Sequence, residues 1–198
     1  MDVDWILARL AQPASVRTSF VEIRGSALLK APLRLSGEYQ RLADDTLIRE
    51  VRAPYAETTT IRAGEVKIQR AGKPARSFAL SRAPELAGLQ ASFGALLGGD
   101  RKRLEQHYRV AAEGTRQQWT LSLTPRATAL AAKLQGITLR GRGAELRCIE
   151  ARPARSDAAG GIELQRTLLA GAARQAADVA DASQLAALCR GHGAAAAR

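Results

Sequence analysis

Proton transfer and covalent catalysis need titratable or nucleophilic side chains within hydrogen-bonding reach of one another, and this chain offers few. Its two histidines are His107 and His192. His107 precedes a strand-like run and His192 stands between glycines near the C-terminus, so their placement predicts no shared site. Asp44-Asp45 is a carboxylate pair, but it lies between two strand patterns, where aspartate shapes turns. Gly141-Arg142-Gly143 lacks the third glycine of a phosphate loop and sits between strands rather than at the start of a helix; it reads as a hairpin turn. Cys148 and Cys189 permit at most one internal disulfide and have no metal-ligand spacing. Cys148 alternates with Leu146 on an expected core face, where a free cysteine behaves as a small hydrophobe. The H-E-x-x-H, C-x-x-C, G-x-S-x-G and P-loop lysine patterns are missing. An esterase or acyl-transfer site built on a serine and His107 would lack a visible activating partner. The expectation is a protein that is not an enzyme, with no catalytic residue, no metal and no cofactor.

What remains is apolar surface and positive charge. The 198 residues are 46% hydrophobic and 25% charged, with a formal net charge of +11, which suits one soluble domain and an anionic neighbourhood. The arginines are scattered singly along alternating runs, as at Arg52, Arg140 and Arg142, in the manner of solvated strand faces. The densest cluster is Arg101-Lys102-Arg103, one helical turn. Aromatic residues make up 4% of the chain, too few for a base-stacking platform, so no nucleic acid partner is expected. No apolar run approaches the length of a bilayer span. The opening Met1-Asp2-Val3-Asp4 has no basic segment followed by an apolar one, so the expectation is either a cytoplasmic protein or one whose leader has been removed.

The elements that must position these residues follow from periodicity. Trp5, Ile6 and Leu10 predict a helix over 4–10, ended by Pro13. From there the period is two, with strands expected at 16–23, 27–30, 33–42, 46–52, 57–63, 65–70 and 76–80. Leu33, Leu35, Gly37 and Tyr39 share one face of a strand, and Arg34, Ser36, Glu38 and Gln40 the wet one. Pro84 opens a helical stretch whose stripe Leu86, Leu89, Phe93, Leu96 and Leu97 ends at Gly98-Gly99; it is a core-facing helix or a lid over a hollow. Asp100 caps a helix over 101–106. Strands resume at Tyr108 and again with Trp119, Leu121 and Leu123, followed by a brief helix over 127–134. A hairpin then turns at Gly141-Arg142-Gly143, and a last strand covers 162–168. The segment 172–188 is helix-prone. The expected organisation is an α+β domain over 1–170, built on one strongly curved antiparallel sheet with helical insertions, and an Ala-rich tail over 171–198 that is partly helical or disordered.

Three stretches carry a family resemblance: Val16-Arg17-Thr18-Ser19-Phe20-Val21-Glu22, Gly25-Ser26-Ala27-Leu28-Leu29-Lys30-Ala31-Pro32 continuing through Tyr39, and Trp119-Thr120-Leu121-Ser122-Leu123-Thr124-Pro125. In order and spacing the chain resembles the LolA-like outer-membrane lipoprotein carriers over about residues 4–168. Pro84-Glu85-Leu86 and Arg103-Leu104-Glu105-Gln106-His107-Tyr108 are similar to the branch found beside aryl polyene and xanthomonadin-type genes. The resemblance implies an unclosed β-barrel under a helical lid, a periplasmic location, and a monomer without cofactor. It also implies a cavity that carries lipoprotein acyl chains or another lipid between membranes, with transient contact to a membrane or to membrane-bound donor and acceptor proteins. Matched by position, the cavity would be lined by Leu33, Leu35, Tyr39, Phe78, Leu80, Trp119, Leu121 and Leu123, and the lid would carry Leu86, Leu89, Phe93, Leu96 and Leu97. The chain departs from the family at Ala31, where the latching arginine is expected before Pro32; Lys30, one residue away, points to the opposite strand face. The competing reading is an interaction domain whose basic face binds a polyanion or a protein.

Overall fold

The computed structural model describes residues 1–11, 15–24, 32–82, 96, 99–154, 165–179 and 181–191. Eleven strands make one antiparallel sheet: β1 (Val16–Arg24), β2 (Leu33–Arg41), β3 (Leu47–Ala53), β4 (Glu57–Arg62), β5 (Glu65–Arg70), β6 (Arg76–Ala79), β7 (Tyr108–Gly114), β8 (Trp119–Pro125), β9 (Leu134–Arg142), β10 (Glu145–Pro153) and β11 (Gln165–Leu169). Their spatial order is β6-β5-β4-β3-β2-β1-β11-β10-β9-β8-β7. The chain therefore begins mid-sheet, meanders to one edge, crosses to the other edge and meanders back until β11 pairs with β1. The two edges, β6 and β7, are consecutive in sequence and unpaired with each other among the described residues. This is the connectivity of a barrel left open along one seam.

Side-chain alternation divides the sheet into two apolar faces. Phe20 enters the main core with Leu35, Tyr39, Val51, Trp119, Leu121, Leu123 and Leu139, whereas its neighbour Val21 enters a second cluster on the other face with Leu168. In a flat sheet, Val51 on β3 and Tyr108 on β7 would stand about 34 Å apart at the usual strand spacing. They belong to one core together with helix α1 (Val3–Leu10), as in a sheet curled around that helix. Helix α1 enters the concave side, burying Val3, Ile6, Leu7 and Leu10. Asp2 caps it by accepting from the Asp4 amide at 2.9 Å. Leu96 and Leu104, the latter on α2 (Arg101–His107), fill the same core. A fully buried leucine contributes roughly 1.5–3 kcal/mol, so this interior is the main source of stability.

Most sequence expectations have counterparts: the strands at 16–23, 33–42, 46–52, 57–63, 65–70 and 76–80 are β1 to β6, and the short helix over 127–134 is α3 (Thr128–Ala131). The strand expected at 27–30 lies outside the described residues, as do Lys30, Ala31 and the stripe positions Leu86, Leu89, Phe93 and Leu97. Leu96 is helical and buried.

The helix-prone reading of 172–188 has a counterpart, and the readings of Arg34 and Cys148 change. The Ala-rich segment forms two helices, α4 (Ala170–Gln175) and α5 (Ala182–Cys189), because Asp181 starts a new helix by accepting from the Gln184 amide at 2.8 Å. Small Ala172, Ala173 and Ala176 let these helices sit close on Val21 and Leu168 of the convex face. That docking corrects the wet-face reading of Arg34, whose guanidinium donates to the carbonyls of Ala176 and Ala177 at the end of α4, at 2.9 and 2.7 Å. Cys148 is not a free core thiol but is bonded to Cys189. A register shift between Leu146 and Cys148 breaks the period of two, leaving Leu146 against the concave core and turning Cys148 to the helices outside.

Candidate functional site

A cavity of about 500 Å³ opens where the starts of β1 and β3, the end of β2 and the tip of the β9–β10 hairpin converge. Val16 and Thr18 come from β1, Tyr39 and Gln40 from β2, Leu47 from β3, and Ala144 and Leu146 from the hairpin. Leu10 at the end of α1 and Leu169 close it. The register explains the grouping: Thr18 pairs with Tyr39, and Val16 with Arg41, so alternate residues of neighbouring strands point into one space. Arg17, Arg41, Arg142 and Glu145 also line it, Arg41 being held by Asp45 at 2.8 Å. The lining is mainly apolar, with exposed Arg17 and Arg142 among its polar residues.

Of the eight residues expected to line a cavity, Tyr39 does so. Leu35, Trp119, Leu121 and Leu123 are at most 1% exposed and, with half-buried Leu33 against them, belong to the packed core. The side chains of α1 occupy the space beneath these strands. Phe78 and Leu80 are elsewhere, packed on a small cluster of Leu47, Ile61 and Val66 near the β6 edge. The pocket residues Val16, Leu47, Leu146 and Leu169 were not expected to line a cavity; strand-end alternation was a signal for the first two, and Leu146 reads from sequence as a core-face residue.

Beneath the pocket lies a charged group that periodicity also obscured. Glu22 is fully buried on the concave face, two residues along β1 from Phe20. It pairs with Arg24 and, at 3.2 Å, with Arg49; Thr167 donates to its other oxygen at 3.4 Å. Arg49 in turn donates to the Tyr39 hydroxyl at 3.3 Å and lies over the Phe20 ring. Burial, reinforced by the Glu22 carboxylate, raises the Tyr39 phenol above its ordinary value. Burial opposes the charge of Arg49, but Tyr39 and Glu22 outweigh it and hold the guanidinium pKa up. A charge so enclosed is tolerable only when paired, and Glu22 thereby fixes the wall residue Tyr39 through Arg49.

On the convex side of the same hairpin tip is a polar cleft of about 250 Å³. Trp119 and Gly141 border it, and the indole, on the core side, lies across Gly141. A Cβ there would come within 2.0 Å of the indole ring, so only glycine fits. The indole nitrogen donates to the Gly143 carbonyl at 2.9 Å. Among the described residues no group of three or more histidine, cysteine, aspartate or glutamate side chains is placed to hold a metal.

An open, curled antiparallel sheet with helices on its concave side is the form expected from the resemblance. The model of the family described as "Outer membrane lipoprotein carrier protein LolA-like" matches residues 1–193. The chain belongs to this family. Its match runs past residue 170, so α4, α5 and the disulfide lie within the family span. Among solved structures, a LolA superfamily protein from Nitrosomonas europaea is 11% identical, with 86% of this chain and 92% of that one covered at a TM-score of 0.42. LprF from Mycobacterium bovis is 12% identical, with 85% and 91% covered and a TM-score of 0.35. The MucA/MucB complex of Pseudomonas aeruginosa contributes a chain 17% identical, with 85% of this chain and 56% of that chain covered, at a TM-score of 0.36. No curated protein matches the sequence.

Proposed function

We propose that this LolA-like protein is a periplasmic carrier or chaperone that takes the acyl chains of a lipoprotein, or another lipid-like cargo, into its apolar pocket and moves it between membranes. The observation that carries the reading is the mainly apolar pocket of about 500 Å³ beside the packed core. That volume is typical of ligand sites, and each methylene withdrawn from water contributes roughly 0.8 kcal/mol. The buried Cys148–Cys189 disulfide favours an oxidising compartment. Arg17 and Arg142, exposed residues that line the pocket, suit contact with anionic headgroups. The finer branch assignment, to the relatives found beside aryl polyene and xanthomonadin-type genes, rests on the segments around Pro84 and Arg103 and would make a polyene-bearing lipid a candidate cargo.

Native mass spectrometry of gently purified protein, with uptake of a fluorescent fatty acid measured in parallel, tests the proposal. Wild type is expected to retain lipid and take up the probe. Thr18→Trp, which fills the pocket from β1, is expected to lower uptake at least tenfold, and Lys67→Ala on exposed β5 to leave it unchanged. Empty wild-type protein that takes up no probe would overturn the carrier reading.

A further inference from the structure

The polar cleft and the apolar pocket are two sides of one hairpin tip. The β9–β10 turn is two residues long, Gly143 and Ala144. Ala144, Glu145 and Leu146 face the pocket, Gly141 and Arg147 face the cleft, and Arg142 lines both. A hairpin is about 5 Å across at this point, so a single amphiphile can reach from one to the other.

The cleft is built for an anion. Arg140, Arg142, Arg147 and Arg190 line it, and no carboxylate does. Arg140 donates to Glu150 at 3.1 Å, but Glu150 also serves Arg166. Arg147 bonds Glu145 at 3.4 Å and the Gln175 oxygen at 2.8 Å, yet its Nε is buried without a partner. Arg142 and Arg190 are exposed and have no ion pair among the described residues. These two guanidinium groups, without an ion pair among the described residues, border a space of about 250 Å³. The arrangement is held in place beforehand. The Cys148–Cys189 bond anchors the end of α5, Gln118 donates to the Arg190 carbonyl at 2.6 Å, and the turn is fixed by the Gly143 amide on the Arg116 carbonyl at 3.0 Å. Guanidinium donors in such a set match a phosphate or carboxylate through charge-assisted bonds.

We infer that the cargo is an anionic amphiphile, with its tail in the apolar pocket and its phosphate or carboxylate head over the hairpin lip among Arg142, Arg190 and Arg147. This rests on the reading of the pocket as a lipid site and adds the class of headgroup.

Calorimetry on the whole protein separates the two. Palmitoyl lysophosphatidate and monopalmitoylglycerol share a tail and differ in charge, while glycerol 3-phosphate carries the head alone. Lysophosphatidate is expected to bind at least tenfold more tightly than the neutral glyceride, and glycerol 3-phosphate to bind far more weakly than either. The double variant Arg142→Gln/Arg190→Gln is expected to bring the two lipids to within about twofold of each other, and an unchanged urea midpoint reports an intact fold. Equal affinity of wild type for the two lipids would overturn the headgroup assignment and leave the lipid site standing. Glycerol 3-phosphate binding as tightly as lysophosphatidate would make the cleft a free-anion site and overturn it as well. Failure of both lipids to bind would remove the pocket reading and this inference together.

Discussion

Glu22 is the residue on which the wall of the pocket depends. Its carboxylate is enclosed with Arg24, Arg49 and Thr167, and removing one partner of a buried pair leaves the other charge without compensation. Glu22→Ala is expected to lower unfolding free energy by about 3–5 kcal/mol in urea denaturation, and Glu22→Ala/Arg49→Met to recover much of the loss. Equal losses in the single and double variants would show that the pairing is not the source. Glu150 gives a pH dependence of definite sign. Burial opposes its charge, but hydrogen bonds from Arg166 and Arg140 prevail and hold its pKa below the ordinary 4.5. A depressed carboxylate pKa stabilises the fold above the unfolded value and is lost as pH falls through the folded one. Urea midpoints measured from pH 7 to pH 3 should therefore decline below about pH 4.5, and less steeply in Glu150→Gln. Identical declines in the two proteins would exclude this contribution.

At the scale of elements, the C-terminal helices are part of the fold. The disulfide joins β10 to the end of α5 across 41 positions, and in the chain-entropy account a loop of that length contributes roughly 2–4 kcal/mol. Cys148→Ser/Cys189→Ser is expected to lose about that much and to release the amides of α5 to hydrogen exchange before those of the sheet. Unchanged protection of α5 would place its anchorage in Leu185 and Leu188 instead. These helices also mark where sequence reading stopped. The strands were legible because one face of each is apolar, as Leu35 and Tyr39 illustrate on β2. The docking of α4 and α5 was not, since alanine reads as helix propensity rather than as a packing surface. The bulge that sends Leu146 and Cys148 to opposite faces shifts register without any glycine or proline to announce it. Glycine was informative at Gly141, and at Gly37, where a Cβ would come within 1.8 Å of the Glu50 carbonyl oxygen at another register shift.

For the molecule as a whole, an open curled sheet has more concave surface than its own side chains need to cover, and α1 with Leu96 and Leu104 fills part of it. The family and the open-barrel fold were readable from the order of short motifs. The location of the remaining hollow was not, because which inward residues are packed and which line free space depends on where α1 lies. Leu121 and Leu146 are equally good hydrophobes in sequence; only the position of the helix makes the first core and the second pocket wall. The most direct measurement is a crystal structure of the protein with a bromine-tagged fatty acid, located by anomalous scattering. The account predicts the bromine inside the pocket bounded by Thr18, Tyr39, Leu47 and Leu146. A bromine found only on the outer surface, with that pocket empty or collapsed, would contradict it.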